Sequence, residues 1–192
     1  MRALRLIPLI CFGILLPAQA ATPEERLATG EVLVRPLKPT DGVGVAAEAF
    51  GIVNAPPEKV FAVVEDCARF KEFMPRTKDS ALRRMEGEAR ICFVEISMPF
   101  PLSNLWSEVR SVSKPLPAGG FERSWTMIKG TYSRNNGKWT VQPWGADGQR
   151  SLVTYRVDVN PDSMVPDAII RKAQTSSLPD MYEALRKRFA SL

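Results

Sequence analysis

The last third of the chain places the tightest limit on its fold. Three short strands, Phe121–Ile128, Lys138–Trp144 and Leu152–Asn160, lead into one long amphipathic stretch from Ser163 to Phe189. In the last strand Val153, Tyr155, Val157 and Val159 alternate with Leu152, Thr154, Arg156 and Asp158, so the first set is expected to face inward. The helical stripe runs Ile169, Ile170, Ala173, Ser177, Met181, Leu185, Phe189. This order predicts an α+β fold, a twisted antiparallel sheet closed by one long C-terminal helix. The middle of the stripe is thinned by Ala173, Ser176 and Ser177. Small residues there serve either close contact between helix and sheet or a recess that leaves room for a ligand. Pro179 removes one helical hydrogen bond and predicts a kink.

The segments upstream read as one continuous unit with no repeat or linker. Thr22 to Ala28 predicts a short helix, with Pro23 at its start and acids in its first turn. Glu31–Pro36 and Val43–Val53 read as strands around the Thr40-Asp41-Gly42 turn. Ala55-Pro56-Pro57-Glu58 opens a helix whose buried side is Val60, Phe61, Val63 and Val64. A second short helix, about Cys67 to Phe73, stops at Met74-Pro75. Asp79–Met85 and Ala89–Met98 read as a hairpin around Glu86-Gly87-Glu88. Pro99–Ser103 interrupts, Asn104–Val112 is the next strand, and Lys114–Gly120 is a loop. Ser133-Arg134-Asn135-Asn136-Gly137 is read as the turn between the strands ending at Ile128 and beginning at Lys138.

The N-terminus reads as a targeting segment. Arg2 and Arg5 precede an apolar run, Leu6 to Leu16, that is too short to span a bilayer, and Ala18-Gln19-Ala20 matches a cleavage site. Residues 1–20 are therefore expected to be a cleaved signal peptide, and 21–192 a single domain exported to a periplasm or secreted. Removing residues 1–20 leaves 172 residues and lowers the formal charge from +5 to +3. The remaining basic residues are interleaved with acids, which argues against nucleic acid as a partner. Weak attraction to an anionic membrane surface is compatible with this charge. Cys67 and Cys92 remain after cleavage, and such a pair in an exported chain permits either a disulfide or two buried thiols.

Several chemistries have no foothold. The chain contains no histidine, which removes the usual nucleophile-activating arrangements and the commonest metal ligand. It has no CxxC and no metal-ligand spacing. No metal and no cofactor are expected, and no catalytic constellation is recognisable.

Taken together, Gly130-Thr131-Tyr132, Gly137-Lys138-Trp139, Pro143, Gly148 and Val153-Thr154-Tyr155 resemble START-type lipid-transfer domains. So do Val165-Pro166, Ile169-Ile170, Leu178-Pro179 and Leu185-Arg186-Lys187-Arg188. Ala55 to Phe61 and Phe70-Lys71-Glu72-Phe73-Met74-Pro75 match the wider helix-grip superfamily, which includes polyketide cyclases, coenzyme Q-binding proteins and the birch-pollen allergen. The resemblance spans roughly residues 22–190 and implies a curved antiparallel sheet wrapped around the C-terminal helix, with an internal hydrophobic cavity between them.

It also implies an acid and an arginine facing each other in that cavity, at the positions of Glu95 and Arg110. Glu95 sits in an otherwise apolar strand, Ile91 to Ile96, so a ligand contact, a structural ion pair and a solvent-facing side chain all remain open. Phe93, Trp125, Trp139, Tyr155, Val157, Ile169, Ala173, Ser177 and Met181 are the candidate cavity walls. Pro99-Phe100-Pro101-Leu102 matches the loop at the cavity mouth, where it either meets a membrane surface or folds onto its own domain.

The resulting expectation is a monomeric carrier, not an enzyme, that binds one lipid or other hydrophobic small molecule. Two alternatives stand beside it. One is a cyclase- or aromatase-type enzyme using Glu95 and Tyr155 on a polyketide-like substrate. The other is an interaction module whose interior is filled by its own side chains.

Overall fold

The computed structural model describes the backbone of residues 20–162 and 167–190, and the side chains of 20–162 and 176–190. The expected signal peptide, the Ser163 cap and the side chains of Ile169 and Ala173 lie outside the described residues.

A short helix α1, Pro23–Ala28, starts at Thr22 through reciprocal bonds: Glu25 N donates to Thr22 Oγ1 at 3.2 Å and Thr22 N to Glu25 Oε2 at 2.7 Å. Strands β1 (Leu33–Leu37) and β2 (Val45–Val53) follow. Helix α2 (Pro57–Glu65) begins at its proline pair, and a 3-10 segment covers Cys67–Glu72. Then come β3 (Thr77–Glu86), β4 (Ala89–Ile96), β5 (Leu105–Leu116), β6 (Gly120–Gly130), β7 (Tyr132–Trp144) and β8 (Arg150–Pro161). Helix α3 spans Asp167–Ala190 and runs through Pro179 as one helix.

The eight strands form a single antiparallel sheet in the order β1-β2-β8-β7-β6-β5-β4-β3. The inner face of this curved sheet is covered at one end by α2 and by the C-terminal half of α3. Val60, Phe61 and Val64 of α2 meet Ala47, Ala49, Trp139, Val141 and Val153 of the sheet and Leu178, Met181, Tyr182 and Leu185 of α3 in one buried core. Phe61 stacks on Phe121 at a centroid distance of 4.8 Å. Close approach of α3 to β2 requires small residues, and Ala47, Ala49 and Gly51 supply them.

Two segments depart from the sequence reading: Lys114–Leu116, expected in a loop, extends β5 and pairs with Gly120–Glu122 of β6, and a second lies in β7. Residues 133–137, expected as a turn, belong to β7, and the reversal is the tight Gly130–Tyr132 corner. Asn and Gly are poor strand formers in general, but here their properties serve the ladder. Asn135 Oδ1 accepts from Trp125 Nε1 at 3.1 Å and Asn136 Oδ1 accepts from Met127 N at 3.3 Å. A Cβ on Gly137 would lie 2.3 Å from the Trp125 ring. Gly137 makes room for the indole and Asn135 anchors it, while Asn136 receives the Met127 amide. At the corner, a Cβ on Gly130 would meet Trp106 O at 2.3 Å.

Candidate functional site

Beside the core, between α3 and the sheet, lies a cavity of about 260 Å³. Its sheet wall comes from the inward residues of β4 to β8, among them Val94, Val109, Trp125, Trp139, Tyr155 and Val157. Ser177, Leu178 and Met181 of α3 form the opposite wall, and Phe70 and Met74 to Thr77 close one side. Ile96, Met98, Leu105, Tyr132 and Pro161 also line it, all at or next to the strand ends on the side where the Pro99–Leu102 loop leaves the sheet. The walls are mainly aliphatic and aromatic, as in sites for apolar ligands.

Three aromatic rings form one surface of this space. Trp125 stacks on Tyr155 at 5.7 Å, and Trp139 meets Tyr155 at 4.5 Å. Burial pushes the Tyr132 hydroxyl up to about 12 and raises that of Tyr155 further, so both stay protonated over the physiological range.

The polar centre of the cavity is Arg123 on β6, whose residue surface is only 3% exposed. Its Nε donates to Ser111 Oγ at 2.6 Å, its Nη1 to the carbonyl of Val64 at 2.9 Å, and its Nη2 lies 3.5 Å from Cys92 Sγ. The Phe70 ring covers the guanidinium at 5.3 Å. Burial lowers its pKa to about 10, against a partly compensating field from Glu65, and it remains cationic at neutral pH. Cys92 is bonded to Cys67 across a Cα–Cα distance of 6.1 Å. The bridge fastens the 3-10 segment, and with it Phe70 and the Met74–Thr77 side of the cavity, to β4.

The structure therefore separates the candidate residues. Trp125, Trp139, Tyr155, Val157, Ser177 and Met181 line the cavity. Glu95 and Arg110 do not face each other inside it. Cys92, Val94 and Ile96 take the inward positions of β4, so the alternating Phe93 and Glu95 point outward. Arg110 is exposed and pairs with Ile91, whereas Glu95 pairs with Trp106, so the two are about 13 Å apart along the strands. Glu95 instead accepts from Asn104 Nδ2 at 2.8 Å and Lys78 Nζ at 3.1 Å, and these bonds hold its carboxyl below the usual range. Phe93 lies between the Arg83 guanidinium, 4.3 Å from its centroid, and Trp106. Because Glu95 is outside and Tyr155 inside, the acid and phenol pair expected for a cyclase do not share a site. Phe100 in the mouth loop is 98% exposed.

Sequence reasoning missed Arg123, although its signal was present: Phe121, Arg123 and Trp125 share one parity, and an aromatic on either side marks that face as the buried one. The Met74–Thr77 side carried no periodic signal. Among the described residues no cluster of acids and cysteines is arranged to hold a metal, and no described helix is long and apolar enough to cross a membrane.

Comparison with known proteins places this geometry. The sequence pattern of the family described as polyketide cyclase / dehydrase and lipid transport matches residues 53–186. Comparison with curated proteins gives no match. Among solved structures, the STAR-related lipid transfer protein fragment from Xanthomonas axonopodis superposes with a TM-score of 0.71 at 19% identity, covering 82% of this chain and 92% of that one. Human StAR-related lipid transfer protein 5 gives 0.69 at 14% identity, with coverages of 82% and 81%. The Zhui aromatase/cyclase from Streptomyces sp. R1128 gives 0.56 at 12% identity, with coverages of 81% and 93%. At these identities the likeness establishes a shared fold.

Proposed function

Because the chain belongs to the polyketide cyclase / dehydrase and lipid transport family, we propose that it is an exported carrier that takes up one hydrophobic small molecule or lipid in its cavity and presents it to a membrane or a partner. The observation that carries this reading is the cavity itself: about 260 Å³ walled by Val94, Val109, Trp125, Tyr155 and Met181. Affinity would come mainly from burying apolar surface, at roughly 25 cal/mol per Å². A volume near the lower end of ligand sites favours a single compact or single-chain body.

Two further features support the reading. Phe100 presents a bare ring beside the mouth, suited to transient insertion among lipid chains during exchange. The Cys67–Cys92 bridge suits an oxidising compartment such as a periplasm. Native mass spectrometry with solvent extraction, on protein purified from its own host without detergent, tests the proposal. One apolar molecule per chain is the expected result. Protein that arrives bare and takes up no added fatty acid, sterol or quinone overturns it.

A second reading, an enzyme of cyclase type, draws on Tyr132 and Tyr155, two half-buried phenols on the cavity surface. It requires that Tyr155→Phe abolish turnover of a polyketide-like substrate while leaving its binding intact. The cavity weighs against an interaction module filled by its own side chains.

A further inference from the structure

Among the described residues Arg123 is held as a fixed cation with no anion in contact with it. Its three described contacts are a hydroxyl, a carbonyl and a disulfide sulfur, and none carries a full negative charge. They occupy three of the five guanidinium N–H groups, which leaves two without an acceptor among the described residues. Glu65 contributes the largest favourable field, but its carboxylate is engaged by Arg90 in an ion pair of its own. The Val64 carbonyl belongs to the last turn of α2, where the helix dipole offers only a partial negative charge. A buried charge is normally paired, because leaving it alone in an apolar setting is costly.

Arg123 borders the cavity, and that is the route by which an anion would reach it. Ser111, Val64 and Cys92 hold the guanidinium from the sheet and from α2, and Phe70 covers one face. Arg123 lines the cavity together with Trp125, Trp139 and Tyr155. One guanidinium neutralises one negative charge, and its planar fork matches the two oxygens of a carboxylate. A phosphate monoester, close to doubly charged at neutral pH, would leave a charge unbalanced in the same place.

From this we infer that the cavity is built for an amphiphile with a single carboxylate, its apolar body along the aliphatic and aromatic walls and its carboxylate on Arg123. The inference rests on the carrier reading and narrows its ligand class to monocarboxylic acids such as fatty acids.

The test compares decanoic acid with decanol at pH 8, by calorimetric titration of the full chain and of Arg123→Met and Arg123→Lys. The wild type is expected to bind the acid at least about tenfold more tightly than the alcohol, the equivalent of one charge-assisted hydrogen bond. Arg123→Met is expected to bind both compounds at the alcohol's affinity, and Arg123→Lys to keep part of the preference. A merely structural arginine would lower both affinities together and leave their ratio unchanged. Equal affinity of the wild type for acid and alcohol overturns the inference while the carrier reading stands. Failure of the wild type to bind either compound or any neutral lipid removes both. Should Arg123→Met fail to fold, the wild-type ratio and Arg123→Lys still decide the matter.

Discussion

Tyr182 occupies the place where Gly51 would carry a side chain. A Cβ built on Gly51 would lie 2.5 Å from Tyr182 Cδ1, and the Tyr182 hydroxyl sits 2.8 Å from the carbonyls of both Ala49 and Val153. The helix is thereby docked across the β2–β8 seam by one ring and one hydroxyl. Gly51→Ala forces the ring out of this position and is expected to cost about 2 kcal/mol. Tyr182→Phe leaves the ring and deletes the bond, at about 1 kcal/mol. Urea unfolding curves of the two variants check both values and their order.

How far the sequence revealed this arrangement depends on the element. Alternation in β8 and the long amphipathic stretch were enough to place the sheet under α3, since each has a single apolar face. In β4 the rule had nothing to act on: Ile91, Cys92, Phe93 and Val94 are apolar at both parities. The disulfide breaks the tie, because Cys92 must turn inward to reach Cys67, which sends Glu95 outward. In β7 the Asn135-Asn136-Gly137 run carries a strong turn signal, and only the position of Trp125 in the neighbouring strand explains why it stays extended.

The bridge closes a loop of 25 residues. Replacing Cys67 and Cys92 together by Ser is expected to lower stability by about 3 kcal/mol. Thermal melts of the double variant, beside wild type with and without reductant, measure it. Alkylation of both Cys67 and Cys92 under denaturing conditions without reductant would show that the two sulfurs are not bonded in solution.

Filling the cavity should separate loading from folding. Val94 projects into it from β4 and is half-buried. Val94→Trp is expected to abolish retention of a hydrophobic ligand in native mass spectra while the circular dichroism spectrum stays native. Full retention would place the bound molecule elsewhere.

Acid should loosen the end of the sheet where β8 meets the Pro39–Gly44 turn. Burial alone would raise the Asp158 carboxyl, but hydrogen bonds from Thr40 and from Arg134, whose Nε stands at 2.8 Å, hold it below the ordinary value. A carboxyl depressed in the folded state contributes stability above the unfolded value, about 3.9, and this is lost as the pH falls below it. Asp158→Asn is expected to lower the melting temperature at pH 7 and to flatten its decline below about pH 4. A decline as steep as that of the wild type would move the acid sensitivity to other carboxylates.

Phe100 is exposed and buries nothing in its own domain, so Phe100→Asp should leave stability within about 0.5 kcal/mol of wild type. Transfer of a fluorescent fatty acid between vesicles is expected to slow several-fold in this variant. An unchanged transfer rate would take the loop out of the exchange step.

The pairing of β2 with β8 also governs when the molecule can come into being. These strands lie about a hundred residues apart in the chain, yet they form adjacent rungs of one ladder. Strands β3 to β7 can zip in succession as a local meander, whereas the seam that seats Tyr182 waits for almost the whole chain. Completion of the cavity wall therefore depends on the most sequence-distant pairing between neighbouring strands of the sheet, the kind of contact that slows folding, and a ribosome-bound or truncated product ending before Arg150 lacks β8 and with it part of that wall.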